Sequence, residues 1–139
     1  MRFVFDTNIF VLYFLGDPAE SIIKAALAPP ESRPLSFFYS EAILEEYEIV
    51  LSELRLENPR VFTPKRTTAL LALITQHGQQ VHPTTTLHSC SHEPDNRFLE
   101  CAVAAGVDYL VTVNLRHFPA SYQGIETIPP HRCYQLLFE

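Results

Sequence analysis

Short apolar runs alternate along this chain with longer segments whose apolar residues recur at three- and four-residue steps. That change of rhythm separates buried strands from amphipathic helices. Arg2–Phe5 is the first such run. A polar break, Asp6-Thr7-Asn8, follows it, and an apolar helix begins just after and continues to about Gly16. Asp17-Pro18 opens a second helix over residues 19–28, which Pro29-Pro30 closes. Residues 35–39 read as another strand. Ser40 then caps a long helix to about Leu54, with Ile43, Leu44, Tyr47, Val50, Leu51 and Leu54 on one face and acidic residues between Glu41 and Glu48 supplying charge. Beyond a loop at Asn58-Pro59, Pro64 starts a helix through Thr68, Leu71 and Ile74, which Gly78 caps.

The second half repeats the pattern. Residues 80–82 form a candidate short strand, and residues 83–93 a polar loop rich in threonine, serine and histidine. Asp95 stands as N-cap of a helix over residues 97–105, ended by Gly106. Residues 109–113 make a clean apolar strand between Asp108 and Asn114. Residues 125–128 make the last strand, and Pro130 opens a C-terminal helix. This alternation predicts a single α/β domain over residues 1–139, with an open, mostly parallel central sheet of about five strands covered by helices on both faces.

Composition narrows the class. A length of 139 residues, 47% hydrophobic and 19% charged, suits one globular core without covalent staples. Three scattered cysteines, Cys90, Cys101 and Cys133, make no disulfide framework and fit a reducing cytoplasm. The apolar N-terminus is interrupted by Asp6 and Asn8, and its unbroken run from Ile9 to Leu15 is only seven residues. A spanning helix needs roughly 18, so no membrane segment is expected. The formal net charge of −6 argues against a nonspecific nucleic-acid binder. It leaves room for a nuclease, whose carboxylates are offset by metal ions.

In parallel sheets, functional groups gather beyond the carboxyl ends of the strands. Asp6, Thr7 and Asn8 follow the first strand, Asp95 opens a helix, and Thr112 and Asn114 end the 109–113 strand. Glu45 and Glu46 add acids from the long helix. Carboxylates brought together repel one another, and burial raises their pKa values unless a cation neutralises them. All-oxygen ligands suit Mg²⁺ or Mn²⁺, which would orient a water and stabilise charge on a phosphoryl group. Phosphodiester hydrolysis is the chemistry that such a group performs. Against this stands a simpler reading, in which Asp6 and Asp95 only cap helices and Glu46 is a solvated helix residue.

Four segments also resemble a known family. Phe3-Val4-Phe5-Asp6-Thr7-Asn8 resembles the D-T-N opening of PIN domains, and Ser40-Glu41-Ala42-Ile43-Leu44-Glu45-Glu46-Tyr47 resembles their S-x5-E helix. Glu93-Pro94-Asp95-Asn96-Arg97-Phe98-Leu99-Glu100-Cys101-Ala102 and Asp108-Tyr109-Leu110-Val111-Thr112 resemble blocks of the toxin branch related to VapC. The resemblance implies a PIN-like three-layer α/β/α fold and metal-dependent cleavage of RNA. It also implies a homodimer and a small antitoxin protein as partner. Carried over position by position, it implies Asp6, Glu46 and Asp95 as metal ligands, with Glu45 the alternative to Glu46. Thr7 would bond within the site and Asn8 would orient Asp6.

The fourth acidic position departs from that pattern. Many relatives place an aspartate two residues after the threonine, where this chain has Asn114. Some carry their acid three residues further on, where it has His117. A neutral amide holds metal less strongly than a carboxylate, so one metal of low affinity is expected rather than two. That leaves two alternatives: a metal-dependent endoribonuclease, or a catalytically weak PIN module that binds RNA or a partner protein. A nuclease acting on structured DNA would share the chemistry.

Other groups weigh less. Arg97 and Arg116 flank Asp95 and Asn114, as substrate-phosphate contacts or as ordinary surface charge. His88, Cys90 and His92 alternate along one side of an extended segment, but no fourth ligand stands at a zinc spacing. His92 and Glu93 are better placed as assisting groups at the site entrance. No serine stands in a nucleophile elbow, and no glycine-rich phosphate loop is present.

Overall fold

A computed structural model describes residues 1–29, 31 and 34–139 of the chain. Strand β1, Arg2–Phe5, lies at the centre of a six-stranded sheet. The chain then forms helices α1 (Thr7–Tyr13) and α2 (Ala19–Leu27), strand β2 (Ser36–Tyr39), helices α3 (Glu41–Glu57) and α4 (Pro64–His77), and the two-residue strand β3 (Gln79–Gln80). A 3-10 turn at Glu93–Asp95 leads into α5 (Asn96–Ala105) and β4 (Tyr109–Val111). A second 3-10 turn at Leu115–His117 precedes β5 (Ser121–Tyr122), β6 (Ile125–Ile128) and α6 (Pro130–Phe138).

The strand order is β3-β2-β1-β4-β6-β5, parallel throughout except for β5, which pairs antiparallel with β6. The three-layer α/β/α arrangement is therefore the one the alternation predicts, with a short antiparallel edge added to five parallel strands. From β1 the chain builds outward through β2 to β3, then crosses back over β1 to place β4 on its other side. Right-handed crossovers require helices connecting strands in opposite directions to lie on opposite faces. Accordingly α1, α2, α3 and α4 contact one another, while α5 packs across β1, β2 and β4.

Burial on both faces explains why β1 reads as a continuous apolar run. Phe3 and Phe5 point to one side and stack with ring centroids 5.8 Å apart, and Phe5 meets Phe10 of α1 and Phe37 of β2. Val4 faces the other side, and all three side chains are buried.

Most element ends fall where the punctuation predicts. Thr7 and Asn8, expected as a break, instead form the first turn of α1, because Asp6 caps it by accepting from the Thr7 N–H. The strand expected at 80–82 is Gln79–Gln80, and α3 runs on to Glu57. Pro30, half of the pair expected to close α2, lies outside the described residues. Gly106 ends α5 in the left-handed conformation, φ 62°. Gly78 ends α4 for a different reason. Its φ is an ordinary −72°, but a Cβ there would sit 2.7 Å from the Ile74 carbonyl oxygen and 2.8 Å from the Phe37 ring. No described helix is long and apolar enough to cross a membrane.

Candidate metal centre

The sheet changes direction between β1 and β4, and the crevice at their carboxyl ends is where such folds collect functional groups. Phe5 pairs with Val111, so Asp6 and Thr112 emerge side by side. The Asp6 N–H continues the ladder to the Val111 carbonyl at 2.9 Å. Both Asp6 carboxylate oxygens are engaged: Oδ1 accepts from the Thr7 N–H at 2.8 Å, and Oδ2 from the Thr112 hydroxyl at 2.6 Å. Asp6 is 4% exposed.

Glu46 reaches the same place from α3. Ser40 caps that helix directly after β2, accepting from the Ile43 N–H at 3.4 Å, and Glu46 faces the crevice after the second turn. The Thr7 hydroxyl donates to Glu46 Oε2, bridging α1 to α3. Glu45 is exposed and turned away, so the helix register presents Glu46. Asp95 enters from the start of α5, 7% exposed. Its side chain makes no capping bond; Oδ2 instead lies 2.9 Å from Nδ1 of His117.

Three carboxylates from three crossovers thus lie close enough to act on each other's charge. Burial first, and the charges of Asp95 and Glu46 after it, push the Asp6 carboxyl from its usual 3.8 to about 6, against the lowering pull of its hydrogen bonds from Thr112 and Thr7. Glu46 is likewise raised, chiefly by burial and then by Asp95, with the Thr7 hydrogen bond and nearby His92 opposing. Helix capping accounts for one oxygen of Asp6 and nothing of Asp95 or Glu46.

The fourth position is polar but uncharged. The Asn114 N–H donates to the Thr112 hydroxyl oxygen at 3.0 Å, and its carbonyl accepts from the His117 N–H at 2.9 Å. Those bonds fold the 3-10 turn that carries His117 to Asp95. The His92 ring lies beside His117, centroids 5.2 Å apart. Among the described residues Asn8 makes no hydrogen bond to the Asp6 carboxylate; Thr7 and Thr112 hold it in place.

Arg97 does not face the carboxylates across the crevice. It pairs with Glu93 at 3.1 Å and with Glu100 at 3.0 Å, and lines a separate cavity with Glu41, Glu45 and His82. Arg116 is exposed near the rim. Cys90 is buried with its thiol pushed up to about 11, while His88 is exposed. Two groups that the sequence did not flag hold the site together. Asn96 binds the Cys90 N–H and the Glu93 carbonyl, fixing the loop before Asp95. Tyr47 ties α3 to β1 next to Asp6.

The donor set is chemically suited to a hard divalent cation, since it is all oxygen, largely anionic, and each carboxylate keeps lone pairs beyond those already engaged. It is not preassembled. Among the described residues, no three His, Cys, Asp or Glu side chains stand as a group ready to hold a metal ion.

Residues 2–116 match the family model of the PIN domain, and the chain belongs to that family. In fold it is similar to a chain in the crystal structure of VapBC2 from Rickettsia felis bound to a DNA fragment from their promoter. The TM-score is 0.61 at 14% identity, over 93% of this chain and 98% of that one. No curated protein matches significantly.

Proposed function

We propose that this chain is a VapC-related PIN module that engages RNA or a partner protein and hydrolyses RNA phosphodiester bonds only weakly, through one loosely held Mg²⁺ or Mn²⁺. What supports the proposal is that Asp6, Glu46 and Asp95 lie within reach of one another's charge near the β1–β4 crevice, with Asn114 at the fourth position and, among the described residues, no closed metal cluster. The matching family supports the nuclease lineage. In this reading a small antitoxin would be the partner, and the chain would act as a homodimer.

Asp6, Glu46 and Asp95 would hold the cation, with Asn114 offering a neutral carbonyl oxygen. Bound there, the cation would stabilise charge on the phosphoryl oxygens and acidify the attacking water. Thr112 and Thr7 orient Asp6, and Thr7 also steadies Glu46. His117 holds Asp95 at the rim. Among the described residues Arg116 takes part in no ion pair, and it would meet a substrate phosphate, since Arg97 is occupied by two glutamates.

A second reading, a vigorous endoribonuclease, is favoured by the burial of Asp6 beside two like charges, an arrangement that a cation relieves. RNA binding and cleavage by purified protein in Mg²⁺, Mn²⁺ or EDTA separate the two. Slow cleavage that EDTA, Asp6→Asn and Asp95→Asn each abolish, with RNA or partner binding retained, is expected. Fast turnover would favour the second reading. Cleavage that survives EDTA and both substitutions would rule out metal chemistry at these carboxylates.

A further inference from the structure

Residues 81–92 form neither helix nor strand, yet their end carries His92 to the ring of His117. An irregular segment has no ladder for its backbone groups, so other partners must supply the bonds. Three amides show where this one is tied. The Leu87 N–H donates to Glu100 Oε2 at 2.9 Å, the Cys90 N–H to Asn96 Oδ1 at 3.0 Å, and the Ser91 N–H to the His117 carbonyl at 3.1 Å. The first two acceptors stand on α5, and the third on the 3-10 turn after β4.

Arg97 stands between the two α5 acceptors. Its Nη2 donates to Glu100 Oε2 at 3.0 Å and lies 3.1 Å from Glu93 Oε1, while Glu93 Oε2 accepts from Asn96 Nδ2 at 2.8 Å. The two glutamates are not equivalent partners. The Glu93 side chain is 63% exposed, and an ion pair so open to water contributes little. Glu100 is only 10% exposed, and among the described residues Arg97 is the one cation paired with it. A carboxylate so enclosed depends on its partner, because losing the partner leaves a charge without compensation. Arg97 Nε adds charge at 3.0 Å from Glu100 Oε1, though that buried N–H has no hydrogen-bond acceptor.

From the loop the ties reach the candidate centre by two routes. The Ser91 hydroxyl donates to the Arg116 carbonyl at 3.2 Å, beside the bond from its N–H to His117. Together they hold the turn whose His117 Nδ1 lies 2.9 Å from Asp95 Oδ2. The second route is through the main chain, where the Asp95 N–H donates to the His92 carbonyl at 3.0 Å.

We propose that Arg97 is a positioning residue of the candidate metal centre: it braces Glu100 and Glu93, these hold the loop before α5, and the loop sets Asp95 and His117. Its guanidinium fork is engaged by two carboxylates, not by a substrate phosphate. The inference rests on the reading that Asp95 helps to hold a cation, and it names what keeps that ligand in place.

The test uses R97Q, R97K and the double variant R97Q/E100Q of the intact chain. In metal-free R97Q the imidazole NMR signals of His117, assigned against H117N, should shift, and the Leu87 and Cys90 amides should exchange at least ~10-fold faster. Calorimetry should show Mn²⁺ affinity lower by ~10-fold, the scale of losing a group that orients a metal ligand. R97K keeps the charge without the fork, so it should restore neither. R97Q/E100Q leaves no unpaired carboxylate and should recover most of the Mn²⁺ affinity, which keeps the test decisive if R97Q folds poorly. RNA affinity in EDTA, and its salt dependence, should match wild type. A phosphate contact would do the reverse, with weaker RNA binding, a salt slope smaller by roughly one, rescue by lysine and unchanged Mn²⁺ affinity. That pattern would overturn the proposal, and so would His117 signals and amide exchange unmoved in R97Q. Equal Mn²⁺ binding by wild type and D6N would refute the metal reading alone, because the metal-free signals judge the placement of Asp95 separately.

Discussion

The hydroxyl of Tyr47 donates a 2.6 Å hydrogen bond to the carbonyl oxygen of Phe5, joining the middle of α3 to the last residue of β1. The ring is buried between Phe10 and Phe98, at 4.8 and 6.2 Å between centroids. Tyr47 follows Glu46 and Phe5 precedes Asp6, so this bond sets how far apart two of the carboxylates are held. Tyr47→Phe keeps the ring and removes the bond. It should cost about 1–2 kcal/mol of stability, seen as a melting temperature lower by roughly 3–6 °C. A variant that melts with wild type would show that the packed ring alone fixes the distance.

Asp6 makes stability depend on pH in an unusual direction. Its carboxyl titrates near 6 in the folded protein against the usual 3.8, so between those values the folded state holds more protons than the unfolded chain. Metal-free stability therefore falls as pH rises from about 4 to about 6 and levels off above. Asp6→Asn removes the buried charge but presents an amide to the Thr7 N–H, which offsets part of the gain. In EDTA the variant should be more stable than wild type by ~1–2 kcal/mol near pH 7.5 and by much less near pH 4. Urea denaturation at the two pH values measures this. A variant weaker than wild type at both would mean that the carboxylate is a net structural asset.

Asn114→Asp restores an anion at the fourth position. Calorimetric titration with Mn²⁺ or Mg²⁺ should show affinity raised roughly tenfold, because cation sites are tuned by the number of charged ligands. Unchanged or weaker binding would place residue 114 outside the coordination sphere.

Gly78→Ala tests close approach rather than backbone freedom. The added methyl would lie 2.7 Å from the Ile74 carbonyl oxygen of α4 itself, 2.8 Å from Phe37 and 2.9 Å from Tyr39, so residue 78 must shift against both the last turn of α4 and the rings of β2. A loss of about 1–3 kcal/mol is expected by chemical denaturation. No loss would mean that the chain leaving α4 and the rings of β2 yield freely.

The parallel sheet was legible because its central strands are buried on both faces and stand out as unbroken apolar runs. Strand β5 was not, since Ser121–Tyr122 is too short to show any periodicity. Its only trace is the Gln123-Gly124 pair, whose positive φ angles of 49° and 84° turn the chain into β6. The residues expected around the candidate centre could be named from where strands end. What each touches could not. Thr112 rather than Asn8 holds Asp6, and Arg97 is taken by Glu93 and Glu100, because those pairings depend on side-chain directions that no spacing encodes. Tyr47 looked like one more apolar position on α3, and only its hydroxyl distinguishes it.

The crossing of the chain back over β1 has a consequence for when the molecule becomes competent. Asp6 arrives with the first strand synthesised, Glu46 with the second crossover, and Asp95 and Thr112 only after most of the polypeptide has been made. A nascent or partly unfolded chain therefore carries scattered acids and no grip on a cation. Any activity seated there would switch on with completion of the tertiary structure, and would be silenced by whatever prevents the last strands from docking.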